Sequence, residues 1–94
     1  MNKYEVIFIV KLAEEEAMNG VIAKFESLIQ NNGGSVEKID RWGKRRLAYE
    51  LKDHTEGYYV ITHFAAPAAA VAELDRVMKI TDEILRHMII KKDE

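Results

Sequence analysis

Lys38, Arg41, Lys44, Arg45 and Arg46 crowd the middle of this chain, with Asp40 the only acid among them. Cations so grouped can neutralise phosphates and release counterions, a chemistry of polyanion binding. The plainer reading of such a run is a solvated strand face, or an edge charged against aggregation. Other groups offer less. Glu14, Glu15 and Glu16 are consecutive at a helix start, where the helix dipole favours acids, so they are not paired catalytic carboxylates. His54, His63 and His87 are too scattered for a metal site. Gly33 and Gly34 follow a helix instead of preceding one, which makes them a cap and not a phosphate cradle. With no cysteine, disulfides and thiolate ligands are excluded. No constellation for catalysis stands out, and neither a cofactor nor a small-molecule substrate is expected.

A chain of 94 residues, 48% hydrophobic and 32% charged, has room for a modest core and a single domain over 1–94. Its net charge of -2 is unusual for a nucleic-acid binder, but acid gathers at Glu14 to Glu16 and at Asp93 and Glu94, leaving the middle basic. No apolar stretch approaches the roughly 20 residues of a membrane span. The opening Met1, Asn2, Lys3 and Tyr4 has no charged-then-apolar leader, so the expected location is cytoplasmic, without a membrane partner.

Hydrophobic period supplies the elements that must position the basic run. Tyr4, Val6, Phe8 and Val10 alternate, with Ile7 and Ile9 between them, as in a central strand. Met18, Val21, Ile22, Phe25, Leu28 and Ile29 then recur at three and four, painting one stripe on a helix that Asn31 to Gly34 end. Gly20 inside that helix costs about 1 kcal/mol against Ala unless packing or a close helix approach compensates. Ser35 to Lys52 alternates with a parity change near Gly43, which predicts one long strand with a bend. Asp53 to Gly57 reads as a hairpin loop, and Tyr58 to Ala65 as the third strand, with Tyr58, Val60, Thr62 and Phe64 on one face. A second helix begins near Pro67 and runs to about Ile80, burying Val71, Leu74 and Met78; a last strand spans Leu85 to Lys91.

The order strand, helix, strand, strand, helix, strand predicts an α+β fold. Two right-handed crossovers make it a ferredoxin-like split βαββαβ sandwich, a four-stranded antiparallel sheet with two helices on one face. The other face would carry Glu5, Ile7, Ile9, Tyr59, Ile61 and His63, an apolar patch that implies a partner. This topology hosts many activities, so residues must decide the function.

The run Trp42, Gly43, Lys44, Arg45, Arg46, Leu47, Ala48, Tyr49, Glu50, Leu51 and Lys52 closely resembles the signature of the bacterial small-subunit ribosomal protein six family. Lys3 to Val6, Val36 to Lys38, Gly57 and Tyr58, and a last strand ending in Lys91 agree with it, so the likeness covers essentially the whole chain. Leu51 stands where the family more often has isoleucine, and the chain stops at Glu94 without the long acidic tail of some members. The resemblance implies an RNA-binding structural protein of the small ribosomal subunit. It would dock with small-subunit ribosomal protein eighteen, the pair binding the central domain of small-subunit ribosomal RNA. By the same resemblance the RNA contacts are Lys3, Lys44, Arg45, Arg46, Lys79, Arg86 and Lys91, and Ile7, Tyr59 and Ile61 face the protein partner. Trp42 is assigned a structural or interfacial role, since strand aromatics more often pack than stack on bases.

Three rivals make different demands. An RNA-recognition motif would expose Phe8 for base stacking, but Val60 and Glu56 occupy positions where it needs an aromatic and a base. An acylphosphatase-like hydrolase needs a phosphate-holding loop that is not found. A metabolite-sensing regulatory protein would pair with itself through the open sheet.

Overall fold

The computed structural model describes residues 1–92; Asp93 and Glu94, the acidic pair at the end of the sequence, lie outside the described residues. In chain order the elements are β1 (Asn2–Val10), α1 (Glu15–Asn31), β2 (Ser35–Leu51), β3 (His54–Ala66), α2 (Ala68–Ile80) and β4 (Ile84–Lys91). The sheet order is β2-β3-β1-β4, with every neighbouring pair antiparallel. β1 and β2 therefore run parallel with β3 between them, and so do β3 and β4 around β1. These are the two interleaved crossovers that the element order predicts.

Alternation in β1 and β3 turns Tyr4, Val6, Phe8, Val10, Val60 and Phe64 toward both helices, where Ile22, Phe25, Ile29, Ala70, Leu74 and Met78 meet them in one buried cluster. Phe8 packs edge-on against Phe25 with ring centroids 6.0 Å apart, and Tyr4 stacks on Phe64 at 5.7 Å. On α2 it is Ala70 that is fully buried and Val71 that packs at the margin, a shift of one position from the expected stripe. The turn at the end of α1 uses Gly33 at φ 87, with the Gly33 and Gly34 amides donating to the carbonyls of Gln30 and Ile29.

Two glycines answer differently to the expectation. Gly20 meets nothing within 4 Å of where a Cβ would stand, so no close helix approach uses it. Gly20→Ala is expected to raise stability by about 0.5–1 kcal/mol by restricting the unfolded chain, read from the urea midpoint; an unchanged or lower midpoint contradicts this. Gly57 is buried, and a Cβ there would stand 2.3 Å from Ile9 Cγ2 and 3.5 Å from Leu85 Cδ1. Because a β-branched neighbour is stiff at χ1, Gly57→Ala is expected to destabilise by about 1–3 kcal/mol.

The hairpin loop lies elsewhere than the sequence predicts. β3 begins at His54, and the chain reverses at Lys52 and Asp53, both in the left-handed region at φ 48 and φ 66. Two successive positive φ values make the tight turn whose twist matches antiparallel strands. The pairing of β2 with β3 slips between Val36 and Lys38, between Arg41 and Gly43, and between Arg46 and Leu51. The second slip confirms the bend at Gly43, which sits at φ 84.

Candidate nucleic-acid interface

Strand register decides which predicted cations come together. Arg45 lies opposite Gly57 and Arg46 opposite Glu56, while Gly43, Tyr59, Ile9 and Arg86 form one row across the four strands. Lys44, Arg45, Arg46 and Arg86 thus belong to one end of the sheet. Lys3, opposite Ala65, and Lys91, opposite Tyr4, sit at the other end. Lys79 stands in the last turn of α2. The seven candidates do not form one patch: four gather at the hairpin end, two at the far end, and one on a helix.

Their electrostatic states differ as well. Lys3 pairs with Glu37 at 3.7 Å, Lys44 with Glu56 at 3.9 Å and Lys79 with Asp75 at 3.0 Å, all exposed pairs of the kind worth little in water. Arg45, Arg46 and Lys91 are exposed and have no carboxylate partner among the described residues. Arg86 donates from Nη1 to the Tyr49 hydroxyl at 2.7 Å, a neutral acceptor that leaves the guanidinium charge uncompensated. On the helix side Arg41 is held by Asn19 of α1, which removes it from the open face.

The reverse face of the sheet is divided. At the hairpin end, the bulged tip of β2 folds across it, so that Leu47 and Leu51 pack with Ile9, Leu85 and Tyr59 in a second small core. Lys52 Nζ reaches over to donate to the Ile84 carbonyl at 3.0 Å. Ile9, expected on the free face, is therefore covered by its own chain. Ile61 is likewise only 6% exposed, whereas Ile7 and Tyr59 remain partly open. Beside them two shallow concavities form, one lined by Ile7, Ile9, Tyr59, Arg86 and Met88, the other by Trp42, Arg45 and Tyr59.

At the opposite end the face is polar. Lys92 Nζ donates to His63 Nδ1 at 2.6 Å, so His63 Nε2 carries the proton and donates to Asp40 Oδ2 at 3.2 Å. Glu5 stands 3.8 Å from His63 Nδ1 and 3.9 Å from Lys92. Such a network occupies its own donors and acceptors. Among the described residues no group of His, Cys, Asp and Glu could hold a metal ion, and no helix is long and apolar enough to cross a membrane.

Met88 and Ile90 were not predicted for the interface, whereas Trp42 was given a structural or interfacial role. Trp42 is 54% exposed, Met88 47% and Ile90 40%, all large apolar groups in water. The parity of β4 is not legible in its sequence, where polar Arg86 and His87 are adjacent and Ile89 and Ile90 are both apolar. His87 faces α2, donating from Nε2 to Asp75 Oδ1 at 2.7 Å, so Arg86, Met88 and Ile90 must point the other way. The His87 hydrogen bond, and after it that of Lys79, hold the Asp75 carboxyl below its ordinary value of 3.8. A depressed folded value contributes stability that is present above about pH 4 and lost as pH falls through the folded value. Asp75→Asn is accordingly expected to flatten the acid limb of the stability profile, with a small loss at neutral pH because the side chain is 40% exposed and screened by solvent.

Phe8, at 1% exposure, is sealed beneath the helices, which removes the stacking aromatic that an RNA-recognition motif would need on β1. Comparison with known proteins places these features in a family. Residues 3–91 match the family described as Ribosomal protein S6. The small ribosomal subunit protein bS6 of Desulforamulus reducens is 53% identical over 95 residues, covering 100% of both chains. That of Clostridium botulinum strain 657 is 49% identical over 94 residues, covering 99% of this chain and 100% of the relative. The crystal structure of 30S ribosomal protein S6 from Thermotoga maritima superposes with a TM-score of 0.91 at 28% identity, over 97% of this chain and 87% of that one.

Proposed function

The chain belongs to the ribosomal protein S6 family, and from that premise we propose that it binds the central domain of small-subunit ribosomal RNA together with small-subunit ribosomal protein eighteen. It is a structural component of the small ribosomal subunit in the cytoplasm, and not an enzyme. In this reading one domain over 1–94 presents two adjoining surfaces. Arg45, Arg46 and Arg86 neutralise phosphates, with Lys44 beside them. Lys3, Lys91 and Lys79 add longer-range attraction from the far end and from α2. Ile7 and Tyr59, flanked by Met88, receive the protein partner, while the buried Ile61 shapes that surface from beneath.

The observation that supports this most is the placement of Arg45 and Arg86, without carboxylate partners among the described residues, at the rims of the two apolar concavities. A cation already neutralised by a carboxylate gains less from a phosphate, and a concavity beside a free one can receive a partner that touches the RNA as well. The test is reconstitution. The purified chain, ribosomal protein eighteen and a central-domain RNA fragment are combined across a salt series. Binding that needs all three components, and that weakens steeply and log-linearly with salt, is the expected result. RNA binding by the pair with no salt dependence would contradict the phosphate contacts. Full binding without the second protein would contradict the partner assignment.

A further inference from the structure

The hairpin tip carries a contact that packing does not explain. Leu47 and Leu51 hold the tip to the sheet through Ile9 and Leu85, but Tyr49 between them is 60% exposed and takes no part in that cluster. Its hydroxyl instead accepts the Arg86 guanidinium at 2.7 Å, joining the end of one edge strand to the opposite edge strand across the open face. A solvent-exposed hydrogen bond from a guanidinium to a neutral hydroxyl replaces bonds that both groups make to water, so it adds only modestly to stability. What it does is fix a long, rotamer-rich cation without cancelling its charge.

We infer that Tyr49 is a positioning residue for Arg86: the hairpin strap holds the guanidinium, still fully charged, at the rim of the apolar concavity so that an RNA phosphate meets a pre-oriented donor. The inference rests on the reading of Arg86 as an RNA contact. Three local features make the strap rigid enough for the task. The turn at Lys52 and Asp53 closes the hairpin, Lys52 ties it to the Ile84 carbonyl, and the Leu47 and Leu51 side chains anchor it. Arg86 uses Nη1 for the tyrosine, and its remaining N–H groups suffice for a phosphate. Pre-ordering the side chain removes the entropy loss that an unrestrained arginine would suffer on binding.

A double-mutant cycle in the three-component assembly tests this. Tyr49→Phe keeps the ring and deletes the acceptor. It should weaken RNA binding about three- to tenfold with the salt slope unchanged, because Arg86 keeps its charge. Arg86→Ala should weaken binding further and reduce the slope by about one. In the Arg86→Ala background, Tyr49→Phe should have no further effect. Urea midpoints of the single variants control for folding. If Arg86→Ala weakens binding and Tyr49→Phe does not, or if Tyr49→Phe weakens it equally in both backgrounds, the positioning role is overturned while the RNA contact stands. If Arg86→Ala leaves binding unchanged, the contact and the positioning role fall together.

Discussion

Reversing the charge of both Arg45 and Arg46 to Glu is expected to abolish assembly onto central-domain RNA and to leave the fold in place. Both side chains are exposed on β2 and have no carboxylate partner among the described residues, so their replacement removes no internal ion pair. Surface changes of this kind alter stability by about 0.5 kcal/mol or less. Binding is another matter. Two lost phosphate contacts reduce the salt slope by about two, and two new carboxylates repel the phosphates they replace, for a loss of about a hundredfold or more at moderate salt. Lys11→Glu with Lys24→Glu changes the net charge by the same amount at exposed positions outside the basic run and the proposed contacts, so it isolates location from total charge. Filter binding of the reconstituted assembly at about 150 mM salt gives the reading. Survival of binding in the Arg45 and Arg46 variant, or equal loss in the control, removes the basic segment from the interface.

The sandwich and the parity of β1 and β3 were legible because they follow from hydrophobic period, whereas the parity of β4, with Ile89 and Ile90 both apolar, was not. Alternation on β1 and β3, and a three-four stripe on α1, leave only one way to bury Tyr4, Val6, Phe8, Ile22 and Phe25 together. The hairpin was misread for a physical reason. Gly57 looks like a turn residue, but it is glycine because the Ile9 methyl occupies the place of its Cβ, and the true reversal uses Lys52 and Asp53, of which lysine is rarely found at positive φ. Once the turn moves, the tip of β2 is long enough to bend over the sheet. That contact is nonlocal, and no pattern in the segment from Leu47 to Leu51 announces it. The cations of the candidate interface were legible only through family resemblance. Composition shows a basic run, but which arginines lack a carboxylate partner depends on register, as the pairing of Lys44 with Glu56 shows.

Phe8→Ala carries the largest expected cost in stability, and it separates two accounts of the same strand. In the sandwich with a buried β1 aromatic, the ring is enclosed by Phe25 and the rest of the helix-facing cluster. Its loss combines the transfer of a large apolar group with a cavity that β1 and β3, fixed by their ladder, cannot close, for about 3–5 kcal/mol. Small domains have only about 5–15 kcal/mol in total, so the variant should show a strongly lowered denaturation midpoint and be partly unfolded on mild warming. Phe8→Leu, which retains most of the apolar volume, should recover a large part of the loss. RNA binding by the folded fraction of either variant should match the unaltered chain, since Phe8 is not among the proposed contacts. Were the ring a stacking platform on the open face, the pattern would invert: near-normal stability, with RNA affinity falling by about 1–3 kcal/mol for the lost base. Urea denaturation and RNA titration of the same two variants therefore decide whether β1 acts as the spine of the core or as a nucleotide-binding strand.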